Sequence, residues 1–405
     1  MAERALMVYA GPKRGDDLAF YLEELERLLE AAGAEVAVRL VQGLPQPDPR
    51  GYLGRGKLEE AGQDAAAFGA DIVVAAHPLS VRQERELERA TGLRVVDRTA
   101  LILDIFAQRA VSQEGKLQVE LAQLQYLLPR LRRAAGSLSR LGGGIGTRGP
   151  GESRLETDRR RLRARVTEIR RRLEAVGRQR EVSRTERGAL PRIALVGYTN
   201  AGKTTLLKAL TAYAGEGEDK LFATLDPLTR RLRLPGHQEV LLTDTVGFVQ
   251  DLPTELVAAF HATLEETVRA DLLLHVVDAA HPDWRRQSDA VQETLRAIGA
   301  EELPEIAVFN KADRLSEEQR QDIPGLLVSA RDGEGLEGLL DAVAAELGRR
   351  RLRRRFAIPQ SRGDLLAQVH AHGEVLREEA GESLIEVEAL IDAAWAGRIA
   401  AALRG

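Results

Sequence analysis

The stretch "RIALVGYTNAGKTTLLKAL", residues 192–210, constrains the fold more than any other part of this 405-residue chain. An apolar, strand-like run leads into Gly197, and a helix-like run opens at Lys203. Between them Gly197, Gly202, Lys203 and Thr204 form the pattern G-x-x-x-x-G-K-T. In a strand–turn–helix setting the glycines let successive backbone N–H groups converge at the positive end of the helix. Such a turn cradles phosphate, with the lysine reaching the outer phosphates and the threonine hydroxyl serving Mg²⁺. Residues 188–350 therefore read as a doubly wound α/β domain, with strands at "RIALVGYT", "EVLLTDTVG", "DLLLHVVDAA", "EIAVFNKAD" and "GLLVSA".

Three further segments fall at the ends of those strands. Asp244 begins "DTVG", where a carboxylate can hold the Mg²⁺ shell and the Gly247 amide can face a γ-phosphate. Asn310, Lys311 and Asp313 form "NKAD"; Asp313 is an acceptor-only carboxylate suited to the two donors on the Watson–Crick edge of guanine. Adenine lacks that pair of donors and would leave the carboxylate unpaired. Ser329 and Ala330 in "VSARDGEG" suit a backbone contact to the guanine carbonyl. The expected GTP/GDP site thus comprises Gly197, Tyr198, Thr199, Asn200, Ala201, Gly202, Lys203, Thr204 and Thr205, together with Asn310, Lys311, Asp313, Ser329 and Ala330. Thr224, in "FATLDPLTRR", is the candidate switch threonine, its alternative being a simple turn hydroxyl. Thr204, Thr224 and Asp244 are then the metal ligands, and Lys203, Thr224, Gly247 and Asn200 the groups nearest the chemistry. Phe248 follows "DTVG" where many GTPases carry a water-orienting glutamine, so intrinsic hydrolysis should be slow.

Upstream, residues 1–103 alternate short apolar runs with amphipathic stretches, the signature of a small α/β domain with a largely parallel sheet. Within it, "GYLGRGKLEE" (Gly51 to Glu60) looks like a second phosphate loop. Leu58, however, stands where Ser or Thr should follow the lysine, and a helix-start turn is the better reading.

Residues 104–187 change character. Leu117, Leu121, Leu124, Leu128 and Leu131 recur at alternating steps of four and three, as do Leu162, Val166, Ile169, Leu173 and Val176, with Leu155 seven residues ahead of them. Two heptad seams predict an antiparallel helical hairpin with its tip at 136–151 and arms of roughly 50 Å. Residues 130–187 hold 18 arginines, no lysine and 7 acidic residues, a local charge of +11 on a chain of net −4. Seven acids cannot pair eighteen arginines, so the arm is an electrostatic footprint for a polyanion. Arg140, Arg148, Arg154, Arg159, Arg160 and Arg161 around the glycine-rich tip are the candidate RNA contacts, able to grip phosphates bidentately and stack on unpaired bases. The tip "GGGIG" lies between helices, not after a strand, which rules out a dinucleotide fingerprint. Residues 351–405 follow an arginine-rich joint and read as a small α+β module.

The chain has no cysteine, which excludes disulfides, thiolate metal sites and a cysteine nucleophile, and fits a cytoplasmic setting. No apolar run approaches a membrane span, and the seven histidines show no metal-ligand spacing.

Taken together, "GGGIGTRGPGESRLETDRR", "GYTNAGKTTL", "FATLDP", "DTVGFV" and "NKAD" resemble the HflX family of translation-factor-class GTPases over most of the chain. The resemblance implies a GTPase that binds the large ribosomal subunit, contacts ribosomal RNA near the peptidyl-transferase region and splits stalled or idle ribosomes under stress; separately, the chain is expected to act as a monomer. It also implies a K⁺ ion beside Asn200 and a secondary use of ATP. The alternative class is a GTP-dependent regulator that engages a protein through its coiled-coil arm.

Overall fold

We describe a computed structural model, which covers residues 2–12, 15–138, 150–186, 190–211, 221–222, 224–251, 261–349, 352–381, 383–391 and 393–403. The N-terminal part runs β1 (Glu3–Gly11), α1 (Gly15–Ala32), β2 (Ala34–Gly43), α2 (Arg55–Phe68), β3 (Ile72–Ala75), α3 (Val81–Thr91), β4 (Arg94–Asp97) and α4 (Arg98–Arg109). Its four strands form a parallel sheet in the order β2-β1-β3-β4. Local chemistry sets the helix ends. Ser80 Oγ accepts from Gln83 N while Gln83 Oε1 accepts from Ser80 N, a capping box that opens α3, and Gly92 closes that helix at φ 70°.

The arm consists of α5 (Gln113–Leu138) and α6 (Pro150–Glu186). The heptad positions Leu117, Leu121, Leu124, Val166 and Ile169 are buried in the seam, and Leu128, Leu162 and Leu173 pack beside them. Arg165 bridges the arms, donating from Nε and Nη2 to the two carboxylate oxygens of Glu120 at 2.6 and 2.8 Å. At the root, Arg130 Nη2 donates to Asp97 Oδ2 at 2.6 Å, and Tyr126 OH donates to Asp97 Oδ1 at 2.9 Å. The expected start of the arm at 104 falls inside α4. Leu101, Ile102, Leu103, Ile105 and Phe106 of that helix are buried, and the first helix of the arm, α5, begins at Gln113. Arg140 and Arg148 lie outside the described residues, as does the Arg154 side chain.

The next domain comprises β5 (Arg192–Val196), α7 (Lys203–Thr211), β6 (Leu228–Arg233), β7 (Glu239–Asp244), α8 (His261–Val268), β8 (Leu272–Asp278), α9 (Trp284–Ala297), β9 (Glu305–Asn310), α10 (Glu317–Gln321), β10 (Leu326–Leu327) and α11 (Leu336–Arg349). Its six-stranded sheet has the order β10-β9-β8-β5-β7-β6, parallel except for β6. Connections leave β5 toward both sides, which opens a crevice at the C-terminal ends of β5 and β8. The chain finishes with β11 (Leu352–Pro359), α12 (Gly363–His372), β12 (Gly373–Ala380), β13 (Leu384–Ile391) and α13 (Ala393–Ala402). These strands make an antiparallel sheet, β11-β13-β12, over a separate small core of Phe356, Ile358, Leu365, Val369, Val387 and Ile399. No described helix is long and apolar enough to cross a membrane.

One apolar core runs through three of these parts. Phe20, Leu25 and Phe106 from the N-terminal domain, Leu121 and Ile169 from the arm, and Tyr198, Phe222, Leu225, Phe248 and Val249 from the second α/β domain all belong to it. The first domain, the root of the arm and the loops around the phosphate turn therefore share one core.

Candidate nucleotide-binding site

At the end of β5 the backbone turns through conformations that only glycine takes freely. Gly202 has φ 93°, and a Cβ there would lie 2.2 Å from Asn310 Nδ2; Gly197 has φ 152°, and a Cβ there would lie 2.2 Å from the Val276 carbonyl. Asn200 also takes positive φ, 62°. A cleft of about 220 Å³ opens over this turn. It is lined by Thr199, Asn200 and Gly202 to Thr205, by Thr224 and Gly247, and by Asn310, Lys311, Asp313 and Ala330. Gly197, Tyr198, Ala201 and Ser329 support it from behind.

Lys203 is nine-tenths buried, and its Nζ donates to the carbonyls of Gly197 (3.0 Å) and Tyr198 (2.9 Å) across the mouth of the loop. Burial lowers its pKa to about 8, against the opposing pull of Asp244. Beside it, Thr204 Oγ1, Thr224 Oγ1 and Asp244 Oδ2 lie within 2.7–2.8 Å of one another. Asp244 Oδ1 is buried with no hydrogen-bond partner among the described residues, and burial raises the carboxyl's pKa. Two hydroxyls and a carboxylate with an unanswered oxygen are a hard donor set that fits Mg²⁺, which needs few protein ligands when a nucleotide supplies the rest. No cluster of three or more His, Asp or Glu that could hold another metal occurs among the described residues.

Gly247 comes close to the turn: a Cβ there would lie 2.9 Å from Thr199 Cα and 3.2 Å from Lys203 Nζ. The following residue, Phe248, is wholly buried and bonds the turn through its backbone, accepting from Thr199 N at 2.8 Å and donating to Gly197 O at 3.1 Å. Its ring lies in the core.

On the other side, Asn310 is a staple. Its Nδ2 donates to Ala201 O at 2.9 Å and its Oδ1 accepts from Ala330 N at 3.0 Å, tying the phosphate turn to the "SA" segment. Lys311 pairs with Asp278 at 2.6 Å. Ser329 is buried, and its hydroxyl donates to Asp313 Oδ1 at 2.9 Å, which aims the carboxylate. The side chain of Ser329 thus braces Asp313, and the Ala330 amide donates to Asn310 Oδ1.

Tyr198 departs most from expectation. Its ring is buried away from the cleft, its OH donates to Glu24 Oε2 at 2.8 Å and accepts from Gln250 N at 3.0 Å, and burial beside Glu24 raises its pKa. Arg98 Nη2 donates to Glu24 Oε1 and to the Gln250 carbonyl, both at 2.5 Å, and Arg98 Nη1 reaches the Asp251 carbonyl at 3.3 Å. A buried ion pair of the N-terminal domain thus holds both the phosphate turn and the segment after "DTVG". These partners lie 152 to 174 residues apart, so local pattern could not reveal them.

The second glycine-rich loop is a helix start. Gly54 is the N-cap of α2, and Lys57 Nζ is paired with Glu60 at 2.6 Å. On the arm, Arg160 and Arg161 are exposed, Arg159 is half-buried, and Arg161 lies 3.7 Å from Asp158.

Comparison with known proteins agrees with this architecture. Family models described as "GTP-binding GTPase N-terminal", "GTP-binding GTPase Middle Region" and "50S ribosome-binding GTPase" match residues 20–107, 109–187 and 192–311. The GTPase HflX of Caldanaerobacter subterraneus subsp. tengcongensis is 46% identical over 389 residues, 96% of this chain and 90% of the relative. That of Lacrimispora saccharolytica is 44% identical, covering 96% and 93%, and that of Escherichia coli K12 is 43% identical, covering 95% and 93%. With identity at this level along nearly the whole length, and a glycine-rich strand–turn–helix opening on the cleft, the chain belongs to the HflX family of GTPases.

Proposed function

We propose that this chain is a GTP-hydrolysing factor that docks on the large ribosomal subunit through its basic arm and dissociates or rescues stalled or idle ribosomes under stress. The observation that carries the reading is the shared core that joins the arm to the loops of the nucleotide cleft, because it lets the GTP state govern the arm.

In this reading the backbone of residues 197–205 cradles the phosphates, and Lys203 leaves the Gly197 and Tyr198 carbonyls to meet the outer phosphates. Thr204, Thr224 and Asp244 hold Mg²⁺, which when bound offsets the charge that builds on the transferred phosphoryl group. Asp313, aimed by Ser329, reads guanine. The Gly247 amide marks the γ-phosphate, and its missing side chain keeps the approach open. Nothing at Phe248 orients water, so hydrolysis waits on a partner, with K⁺ beside Asn200 as the accompanying cation. Family resemblance carries the K⁺ assignment and the large-subunit target, and the cysteine-free composition the cytoplasmic setting, where the chain acts as a monomer; Lys57, already paired with Glu60, gives a second, ATP-binding site no support.

Cosedimentation with isolated large subunits tests the docking. In the presence of a non-hydrolysable GTP analogue the chain should pellet with the subunits, and less so with GDP. Replacing Arg159, Arg160 and Arg161 with Ala should weaken binding and flatten its salt dependence by roughly one unit of log–log slope per lost phosphate contact. Binding that ignores salt and these arginines would instead favour an apolar contact between the arm and a protein partner.

A further inference from the structure

The loop that carries Thr224 has a second anchor two residues on. Asp226 Oδ2 accepts from Ser112 N at 2.8 Å and from Val111 N at 3.2 Å, and Asp226 Oδ1 accepts from the Ser112 hydroxyl. Ser112 is the residue that starts the arm: its Oγ accepts from Gly115 N at 2.8 Å and its carbonyl from Lys116 N at 3.0 Å. The Asp226 carboxylate therefore completes the capping of α5 from outside the helix, where free amides and the helix dipole favour an anion. Gly115 makes room for it, since a Cβ at that position would lie 2.5 Å from Asp226 Oδ1. The intervening Leu225 is buried in the shared core, and Phe222 stands edge-on to Phe106 of α4 with ring centroids 4.6 Å apart. Two residues of extended chain span only about 7 Å. The hydroxyl at the metal cluster and the carboxylate on the arm cannot move independently.

We propose that Asp226 is a positioning residue for Thr224, so that closure of this loop on GTP and the set of the arm are one movement. The inference deepens the proposed function and rests on Thr224 serving the nucleotide-bound metal. Coupling of this kind is reciprocal: whatever fixes the arm also favours the GTP-closed loop, and closing the loop stiffens the root of the arm.

The test uses the full-length protein and hydrogen exchange at amides 112–118, in GDP and in a non-hydrolysable GTP analogue with Mg²⁺. The native protein should protect these amides on the order of tenfold more with the analogue than with GDP. Asp226→Ala should reduce that difference to about twofold or less and weaken analogue binding on the order of tenfold, while GDP affinity stays within about twofold. Gly115→Ala pushes the carboxylate away while leaving Asp226 in place and improving helix propensity, and it should reproduce the same pattern. Exchange that rises equally in both nucleotide states overturns the proposal, because that is the signature of a lost cap alone; so does nucleotide dependence that survives both variants. Thr224→Ala separates the two layers. If it weakens analogue binding while Asp226→Ala does not, the link alone fails; if it has no effect, the metal reading fails and takes the link with it.

Discussion

Removing the Arg98 guanidinium should be among the most damaging single changes outside the cleft. Arg98 and Glu24 are 5% and 6% exposed, and the arginine supplies Glu24 Oε1 with its charged partner and two backbone carbonyls with donors. Arg98→Met keeps most of the packing length but leaves the Glu24 carboxylate buried with only the Tyr198 hydroxyl on its other oxygen. Breaking a buried pair from one side costs about 3–5 kcal/mol, and the stranded Gln250 carbonyl adds about 1 kcal/mol or more. Chemical denaturation followed by circular dichroism should therefore show a loss of roughly 4 kcal/mol or more, with the N-terminal and GTPase domains no longer unfolding together. A Glu24→Met/Arg98→Met double variant removes the stranded charge and should lose less than Arg98→Met alone. A loss below about 1 kcal/mol for Arg98→Met, or simple additivity in the double variant, would refute the clamp.

Three other outcomes follow from the cleft. Lys203→Ala should abolish tight binding of both GDP and GTP in equilibrium titrations, since the charge facing the outer phosphates is lost. Asp313→Asn should erase most of the preference for GTP over ATP in competition binding, whereas Ser329→Ala, which only frees the carboxylate, should cost guanine affinity a few-fold, equivalent to about 1 kcal/mol. GTP turnover should be faster in K⁺ than in Na⁺ at matched ionic strength, and Asn200→Ala should remove the difference; equal rates in the two salts would eliminate the monovalent site.

The phosphate turn was legible because its physics is local. Gly197, Gly202, Lys203 and Thr204 sit between a strand and a helix, and the conformations at those glycines admit little else. The arm was legible for a similar reason, as heptad leucines either find a seam or face water. What stayed hidden depends on distant partners. Tyr198 sits inside the motif, yet its ring answers to Glu24, and nothing within several residues of either announces the pairing. Asp226 in "LDP" reads as an ordinary turn aspartate until Ser112 is beside it. The break between α4 and α5 is hidden because both helices are apolar and only Ala110 to Ser112 separate them.

The central claim, that a basic arm governs a GTP site lacking its own water-orienting residue, is most directly tested by GTP turnover in K⁺ buffer. The measurement compares the protein alone and with isolated large ribosomal subunits, at low and high salt, for the native chain and for Arg159→Ala/Arg160→Ala/Arg161→Ala. The account predicts slow intrinsic turnover in both proteins, strong stimulation of the native chain that fades as salt rises, and little stimulation of the triple variant. Rapid turnover without subunits, or no stimulation at either salt, would contradict it.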